Sequence, residues 1–353
     1  MSDFDIIVIG AGPAGSAAAT WAAKGGARVA LVDKATFPRN KLCGGLFTER
    51  SRSYYREIFG RDFDLSRAVT CHDIAFWHAG AELATLKDIP PLHLTMRQDL
   101  DNVLYRHAIT AGAVDFTGQS ITQFAETSVK FRSGTSITAP IIIGADGVNS
   151  IVAKHIFGSA FNTDTIGFGL EIEVPEATQV PSEHPLRIDF GAATWGYGWS
   201  FPKLHSTTVG VGGLRAPNPD MKAHMRRYVE TLGFDPDAIK FKGHHLPFGD
   251  FRKSPGRANI LLAGDAAGLV DPITGEGIAF AMKSGQIAAQ AALDALANGA
   301  PNRALAYHQE GLREMHKNLR IARTLRRIIF APRWQSAFTN TFRRSGTVRM
   351  MYM

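Results

Sequence analysis

A glycine-rich turn near the N-terminus has the residue types and spacing needed to hold a diphosphate. The segment GAGPAG, residues 10–15, follows the apolar run FDIIVI and precedes an alanine-rich run that predicts a helix. Gly10 permits a tight turn, Gly12 lets the backbone approach a pyrophosphate, and Gly15 lets the helix pack closely on the strand. Asp33 ends the next predicted strand, where its carboxylate can accept hydrogen bonds from ribose hydroxyls. The spacing therefore predicts a dinucleotide site.

A second glycine-rich segment predicts which dinucleotide is bound. The apolar run ILLA, residues 260–263, leads to Gly264 and Asp265, and Gly275 and Gly277 open a long predicted helix of small residues. Asp265 is placed to accept hydrogen bonds from a polyol chain. The helix N-terminus carries a partial positive charge that stabilises an anion, such as the one at the pyrimidine end of a reduced flavin. A nicotinamide has no such anion, so this segment favours a flavin.

Together these motifs resemble those of the flavoprotein hydroxylase/reductase superfamily, and the resemblance implies non-covalent FAD. IIIGADGVNSIVAK is similar to the family's middle Asp-Gly motif, and MRQDLDNVL is similar to the segment with its ribityl-side arginine. Because no second glycine motif follows a strand, the resemblance implies that NADPH or another reductant docks transiently. The residues expected to bind FAD are Gly10, Gly12, Pro13, Ala14, Gly15, Asp33, Lys34, Cys43, Gly44, Arg97, Asp146, Gly147, Gly264, Asp265, Gly275, Gly277 and Ile278.

The segment WGYGWSFPK, residues 195–203, predicts a cavity wall. In an extended strand Tyr197, Trp199 and Phe201 lie on one face. The alternative is sheet core, but two glycines weaken a strand interior and commonly let another group approach. Aromatic side chains give a large apolar contact at a low cost in entropy. The pattern therefore predicts a ligand that is flat, or long and apolar.

Within the superfamily, this segment resembles the aromatic-x-Trp-x-Phe-Pro pattern of geranylgeranyl reductases. The matching positions are Tyr197, Trp199, Phe201 and Pro202. The segment KLCGG, residues 41–45, also resembles those reductases. Flavin-dependent halogenases carry Trp-x-Trp-x-Ile-Pro instead, and a catalytic lysine soon after this region. Lys87, in an unremarkable setting, is the sole lysine between residues 42 and 129.

The resemblance implies hydride transfer from a reduced flavin to an alkene carbon of a geranylgeranyl-type chain, carried by a prenyl lipid or a prenyl diphosphate. A dry, closely shaped pocket is needed for this. The candidate catalytic residues are Cys43, Tyr197 and Trp199, although Cys43 can also be read as a small buried apolar residue. The candidate substrate-binding residues are Tyr197, Trp199, Phe201, Pro202 and Lys203, with Lys203 expected to hold a diphosphate or headgroup. The alternatives are a monooxygenase or halogenase acting on an aromatic or apolar small molecule, and a flavin-bearing protein with little turnover.

The elements that must position these residues predict an α/β protein of two closely joined units. The chain has 353 residues, of which 45% are hydrophobic and 20% charged, as in an ordinary globular protein. We expect a Rossmann-like FAD-binding domain of the glutathione-reductase type, an antiparallel-sheet substrate domain, and C-terminal helices. The FAD-binding domain is predicted to be discontinuous and to comprise residues 1–65, 95–155 and 255–300. The substrate domain is predicted to comprise residues 66–94 and 156–254, followed by a basic helical segment, residues 301–353.

Basic charge is concentrated in this last segment. Residues 301–353 hold eleven Arg and Lys against Glu310 and Glu314, whereas the whole chain has a formal net charge of +7. One interpretation is a solvated helix face; the other is contact with an anionic membrane or a phosphorylated substrate. No nucleic-acid partner and no metal site are predicted, because no such motif accompanies the charge. Two cysteines, no long apolar run and no basic N-terminal signal predict a cytoplasmic protein, peripheral at a membrane if the tail binds lipid.

Overall fold

The computed structural model describes residues 2–175, 186–237 and 240–346. Its strands, numbered in chain order, are β1 Ile6–Ile9, β2 Val29–Asp33, β3 Leu46–Phe47, β4 Ala68–Cys71, β5 Ile74–His78, β6 Ala81–Leu86, β7 Leu92–Thr95, β8 Val114–Thr117, β9 Ile121–Phe124, β10 Ser128–Phe131, β11 Ser136–Thr138, β12 Ile141–Gly144, β13 Gly167–Pro175, β14 Leu186–Phe190, β15 Gly196–Pro202, β16 Ser206–Leu214, β17 Lys242–Leu246, β18 Gly256–Arg257 and β19 Ile260–Leu262. Its α-helices are α1 Pro13–Lys24, α2 Glu49–Phe59, α3 Arg97–Thr110, α4 Ile151–Phe157, α5 Met221–Thr231, α6 Ile278–Ala297, α7 Ala304–Gly311, α8 Arg313–Phe330 and α9 Pro332–Arg344.

The first sheet is a parallel sheet with β1 near its centre. Its six strands follow the order β18-β19-β12-β1-β2-β8. The five strands from β19 to β8 run parallel, and β18 lies antiparallel at the edge. All of Ile6–Ile9 is buried, because α1 and α6 cover one face of the sheet and the antiparallel sheet β11-β10-β9 covers the other. A strand buried on both faces needs a continuous apolar run, as β1 has.

The second sheet is larger and follows the order β17-β13-β16-β15-β14-β5-β6. Strands β13 to β17 lie in residues 156–254, which were predicted to form part of an antiparallel sheet. Residues 176–185 and 238–239 of that range lie outside the described residues. Most neighbouring strands run antiparallel, as expected, but β14 and β5 run parallel. Helix α5 packs against one face of this sheet. On the other face, which carries Tyr197, α8 and α9 pack against part of the sheet.

A third, small sheet joins the two. It has the order β3-β7-β4, and β3 follows directly after the segment KLCGG. Strand β7 leads into α3, which packs on α1 of the first sheet. The loop before β3 is therefore anchored beside both sheets.

The described part of the C-terminal segment, predicted to be helical over residues 301–353, consists of successive helices. It forms α7 and α8, and α9 follows because Pro332 cannot continue α8. Leu312 and Leu319 are buried against the first sheet, and the opposite face of α8 is exposed. Arg349, counted in the basic charge, lies outside the described residues. Within the described part of the chain, no helix is both long and apolar enough to span a membrane. The domain boundaries given above stay a prediction.

Candidate functional site

A cavity of about 1160 Å³ lies between the two large sheets. This exceeds the roughly 300–1,000 Å³ of an ordinary small-molecule pocket. One side is formed by the segments that follow β1, β2, β12 and β19, at the carboxyl edge of the parallel sheet. In open parallel sheets, ligands bind at this edge. The predicted site residues that line the cavity are Gly10, Gly12, Pro13, Ala14, Asp33, Lys34, Cys43, Gly44, Arg97, Asp146, Gly147, Tyr197, Trp199, Phe201, Asp265, Gly275, Gly277 and Ile278.

The first glycine loop is shaped by close backbone contacts. A Cβ atom at Gly15 would lie 1.6 Å from the carbonyl oxygen of Gly10, so only glycine allows α1 to pack here. The Asp33 carboxylate accepts hydrogen bonds from the backbone N–H of Ala11, at 2.8 Å, and of Ala35, at 2.9 Å. Helix α1 begins after Gly12 without a side-chain cap, which leaves its first amides for a ligand. Asp33 thus holds the loop that would hold the phosphates.

The second glycine loop is fixed to the large mixed sheet. The Tyr197 hydroxyl donates a hydrogen bond to the carbonyl oxygen of Thr274. A Cβ atom at Gly275 would lie 2.7 Å from that hydroxyl oxygen. Helix α6 begins after Gly277, again without a side-chain cap, and Asp265 lies beside its first turn. The predicted flavin end and the predicted substrate wall therefore meet at Tyr197.

Two cavity residues implied by the resemblance are already bonded to other protein groups. The Asp146 carboxylate accepts from the Ser150 hydroxyl at 2.5 Å and from the Ile151 N–H at 2.7 Å, at the start of α4. Burial raises the pKa of Asp146. Arg97 donates two hydrogen bonds to Asp101, at 2.7 and 2.8 Å. The sequence did single out Arg97 but not Asp101, although an acid four residues along the same helix is a recognisable pairing signal.

The aromatic segment forms both a cavity wall and a packed cluster. Tyr197, Trp199 and Phe201 all line the cavity, but Trp199 is only 8% exposed and packs with Leu94 and Leu186. Its ring lies on β16, where a Cβ atom at residue 210 would come within 2.3 Å of Trp199 Cζ2. Among the described residues, the indole Nε1 of Trp199 has no hydrogen-bond partner although it is buried. Cavity wall and sheet core are thus not exclusive alternatives here.

Four predicted site residues do not line the cavity, and one of them, Lys203, is buried and bonded to other protein groups. The four are Gly15, Pro202, Lys203 and Gly264. Lys203 is 6% exposed, and its ammonium donates to the carbonyl oxygens of Gly44 and Thr95. Burial lowers the pKa of Lys203. Two of its donors are thus directed at the Cys43 loop and at the end of β7, and its contact with a diphosphate stays a prediction.

Sequence reasoning missed a buried polar cluster beside Cys43. Glu171, on β13, lines the cavity at 5% exposure, and its Oε1 accepts the Cys43 N–H at 2.8 Å. Within the described part of the chain, its Oε2 has no hydrogen-bond partner. Burial raises the pKa of Glu171 to about 7. Nearby, Lys41 Nζ lies 2.8 Å from His244 Nε2, and burial lowers the pKa of both groups.

The far end of the cavity is apolar and partly open. It is lined by Leu325, Ile328 and Ile329 of α8 and by Phe338 of α9. Leu325 is 41% and Ile328 55% exposed, so these side chains reach both the cavity and the surface. The C-terminal segment, assigned on its charge alone, therefore also contributes to the cavity.

Comparison with known proteins identifies the family. The FAD binding domain family matches residues 3–184, more than half of the chain. A geranylgeranyl diphosphate reductase of Rhodobacter capsulatus is 31% identical over 315 residues, which are 84% of this chain and 77% of that protein. The chain belongs to the geranylgeranyl reductase family of FAD-binding proteins. It is an FAD-dependent oxidoreductase, and FAD is its cofactor.

Other proteins that are similar to this chain are named after different substrates. A menaquinone reductase of Mycolicibacterium smegmatis is 30% identical over 311 residues, which are 81% of this chain and 75% of that protein. The solved structure of a geranylgeranyl bacteriochlorophyll reductase-like protein from Thermoplasma acidophilum superposes with a TM-score of 0.80. That superposition covers 99% of this chain and 95% of the other at 20% identity, so it supports the fold alone.

The cavity fits FAD. Two uncapped helix N-termini, those of α1 and α6, border the cavity and leave backbone amides for the diphosphate and for an anionic flavin ring. Asp33 and Asp265 line the cavity beside these helices and offer acceptors for ribose and ribityl hydroxyls. The individual contacts of FAD with these residues stay predictions.

Proposed function

We propose that this reductase saturates carbon–carbon double bonds in a prenyl chain of the geranylgeranyl type. The observation that carries the proposal is one cavity that runs from the FAD loops, past the aromatic strand, to Leu325 and Ile328 at the surface. A cavity with an aromatic wall and an apolar opening favours a long hydrocarbon over a small polar substrate. The name of the Rhodobacter capsulatus relative, a geranylgeranyl diphosphate reductase, supports the same chemical class.

Reduced FAD supplies the hydride for such a reaction, and NADPH or another reductant is the proposed electron donor. The protein must then hold an alkene against the flavin and exclude water. Trp199 and Tyr197 are proposed to do this, since both line the cavity and Tyr197 is fixed to the second glycine loop. Cys43 is proposed to contact the reacting end of the substrate. Its loop lines the cavity and is held in place by the Lys203 ammonium, which donates to the carbonyl oxygen of Gly44.

A membrane is the proposed source of the prenyl substrate, whether a lipid or a diphosphate. Four large apolar side chains are exposed on α8 and α9, namely Ile321, Leu325, Ile328 and Trp334. Exposed arginines flank them, namely Arg320, Arg323, Arg327 and Arg333. An apolar surface bordered by basic residues favours an anionic membrane surface. Since Leu325 and Ile328 also line the cavity, a chain entering there would not cross water.

Anaerobic reoxidation of the flavin tests the function. The purified protein is reduced with dithionite, freed of excess reductant and mixed with geranylgeranyl diphosphate or a prenyl lipid. The flavin colour should return, and mass spectrometry should show a product with two more hydrogens for each bond reduced. A reduced flavin that no prenyl alkene reoxidises, in a protein that forms a hydroxylated or halogenated product with oxygen, would point instead to a monooxygenase or halogenase. Against the halogenase, Lys87 is exposed and does not line the cavity.

We propose that the parallel sheet is of the glutathione-reductase type, with the mixed sheet as the substrate domain. The strand order, with the parallel sheet covered by helices on one face and by β11-β10-β9 on the other, supports it.

A further inference from the structure

Saturating an alkene with a hydride leaves one carbon in need of a proton, and the cavity must supply it. The aromatic side chains that line it are poor sources, since burial raises the pKa of Tyr197 and its hydroxyl already donates to Thr274. Lys41 and Lys203 are directed at His244 and at backbone carbonyl oxygens. Among the described residues that line the cavity, Glu171 is an acid with one buried carboxylate oxygen that has no hydrogen-bond partner.

We propose that Glu171 is the proton donor of the reduction, an inference that rests on the proposed function. Its carboxyl gives a proton to one alkene carbon while the other carbon takes the hydride of the reduced cofactor. The π bond is replaced by two C–H bonds, the cofactor is oxidised by two electrons, and Glu171 is left as a carboxylate. The carboxylate then takes up a proton from solvent.

The position of Glu171 supports this role. Its Oε1 is held by the N–H of Cys43, whose loop lines the cavity, so the side chain has a fixed orientation. Its Oε2 is buried and has no hydrogen-bond partner among the described residues, so a proton there has no competing acceptor. Burying a polar atom without a hydrogen bond costs free energy, unless a ligand supplies the missing partner.

The surroundings of Glu171 also favour the protonated acid near neutral pH. The charged groups that face it are Lys41 and Lys203, which lower its pKa, and Glu173, which raises it. Burial outweighs both lysines and raises the pKa of Glu171 to about 7. A general acid works best when its pKa lies near the working pH.

The test compares Glu171→Gln with Glu173→Gln as a matched control. Glu173 lies on the same strand two residues further on, is exposed, and bonds to Ser206 and Thr208. Each holoenzyme is reduced anaerobically, and reoxidation is followed with geranylgeranyl diphosphate and, separately, with oxygen. We expect reoxidation by the prenyl alkene to be roughly 10²-fold slower or worse in Glu171→Gln, within the range of general acid catalysis. Reoxidation by oxygen should be unchanged. Glu173→Gln keeps the carboxyl of Glu171 and removes only one charge that raises its pKa, so it should lose far less than Glu171→Gln.

A second readout does not depend on turnover. In the oxidised resting holoenzyme, the infrared carbonyl band of a protonated carboxyl should disappear with rising pH near 7. This band should be missing from Glu171→Gln and present in Glu173→Gln. If Glu171→Gln fails to bind FAD, Glu171→Asp takes its place. Glu171→Asp should keep the infrared band and the pH dependence of reoxidation, but its reoxidation by the prenyl alkene should be slower.

The outcomes separate this inference from the proposed function. A wild type that no prenyl alkene reoxidises overturns both. A wild type that reduces the alkene, with Glu171→Gln equally fast, overturns the role of Glu171 alone. So does an infrared band that is absent from the wild type or retained in Glu171→Gln.

Discussion

The buried carboxyl of Glu171 predicts an unusual dependence of stability on pH. In the unfolded chain this group loses its proton near its ordinary pKa of 4.5, but in the folded protein only near pH 7. Between these values the folded protein keeps a proton that the unfolded chain has released. The free energy of unfolding therefore falls as pH rises through this window. Below about pH 4.5 there is no penalty, and above about pH 7 the penalty is complete.

The pKa difference sets the magnitude of the effect. At 1.36 kcal/mol for each pKa unit, it corresponds to about 3 kcal/mol of lost stability. Glu171→Gln has no proton to lose, and its amide oxygen can still accept the Cys43 N–H. The variant should therefore gain about 3 kcal/mol over the wild type between about pH 4.5 and 7, whatever its stability at the acid end.

Urea unfolding at a series of pH values, with saturating FAD, measures this gain. Taking the difference between variant and wild type removes the titrations that the two proteins share. Glu173→Gln is again the control: it keeps the carboxyl of Glu171, so its stability should still fall as pH rises through the same window. Parallel pH profiles of Glu171→Gln and the wild type would refute the reasoning, because they would mean that Glu171 is ionised in the folded protein.

Three further variants and one set of changes test the rest of the site. Gly12→Val should yield a folded but colourless protein, because the side chain fills the approach to the pyrophosphate; FAD absorbance and circular dichroism measure this. Asp265→Ala should weaken FAD binding by about 1.5–3 kcal/mol, through a lost charged acceptor, as measured by fluorescence titration. Trp199→Ala should cost roughly 3–5 kcal/mol of stability and also raise the KM for a prenyl substrate, since the ring is both packed and cavity-lining; normal melting or a normal KM would contradict this. Arginine-to-glutamine changes should reduce binding to anionic vesicles by up to ~1 kcal/mol per residue, and equal binding by the wild type would argue against membrane contact. The exposed positions to change are Arg320, Arg323, Arg327 and Arg333.

Arg326 is left out of that set for a structural reason. Its guanidinium donates to the carbonyl oxygen of Phe248, and burial lowers its pKa to about 10. On sequence alone it belongs with its neighbours as a surface charge. In the fold it is half-buried near the C-terminal end of α8, so changing it would disturb packing as well as charge.

What the sequence determined is local and periodic. Spacing alone was enough to locate three features: the glycine loop after β1, the acid that ends β2 and the loop before α6. Each is a short segment whose residue types follow from the backbone conformation that dinucleotide binding requires. The strand with Tyr197, Trp199 and Phe201 could also be placed, since alternation along a strand puts them on one face. These segments were sufficient to predict the dinucleotide site and the aromatic wall.

Only the tertiary structure decided which polar side chains stay paired. Glu171 belongs to an ordinary alternating strand, and it becomes a buried acid because the Cys43 loop, 128 residues away in the chain, packs over it. Lys203 follows the aromatic strand and was expected to meet substrate, but the carbonyls of Gly44 and Thr95 occupy its donors. Likewise, Leu325 and Ile328 of α8 line the open end of the cavity, far along the chain from the glycine loops. Burial and hydrogen-bond partners depend on contacts between distant segments of the chain. Residue spacing within one segment cannot predict these contacts.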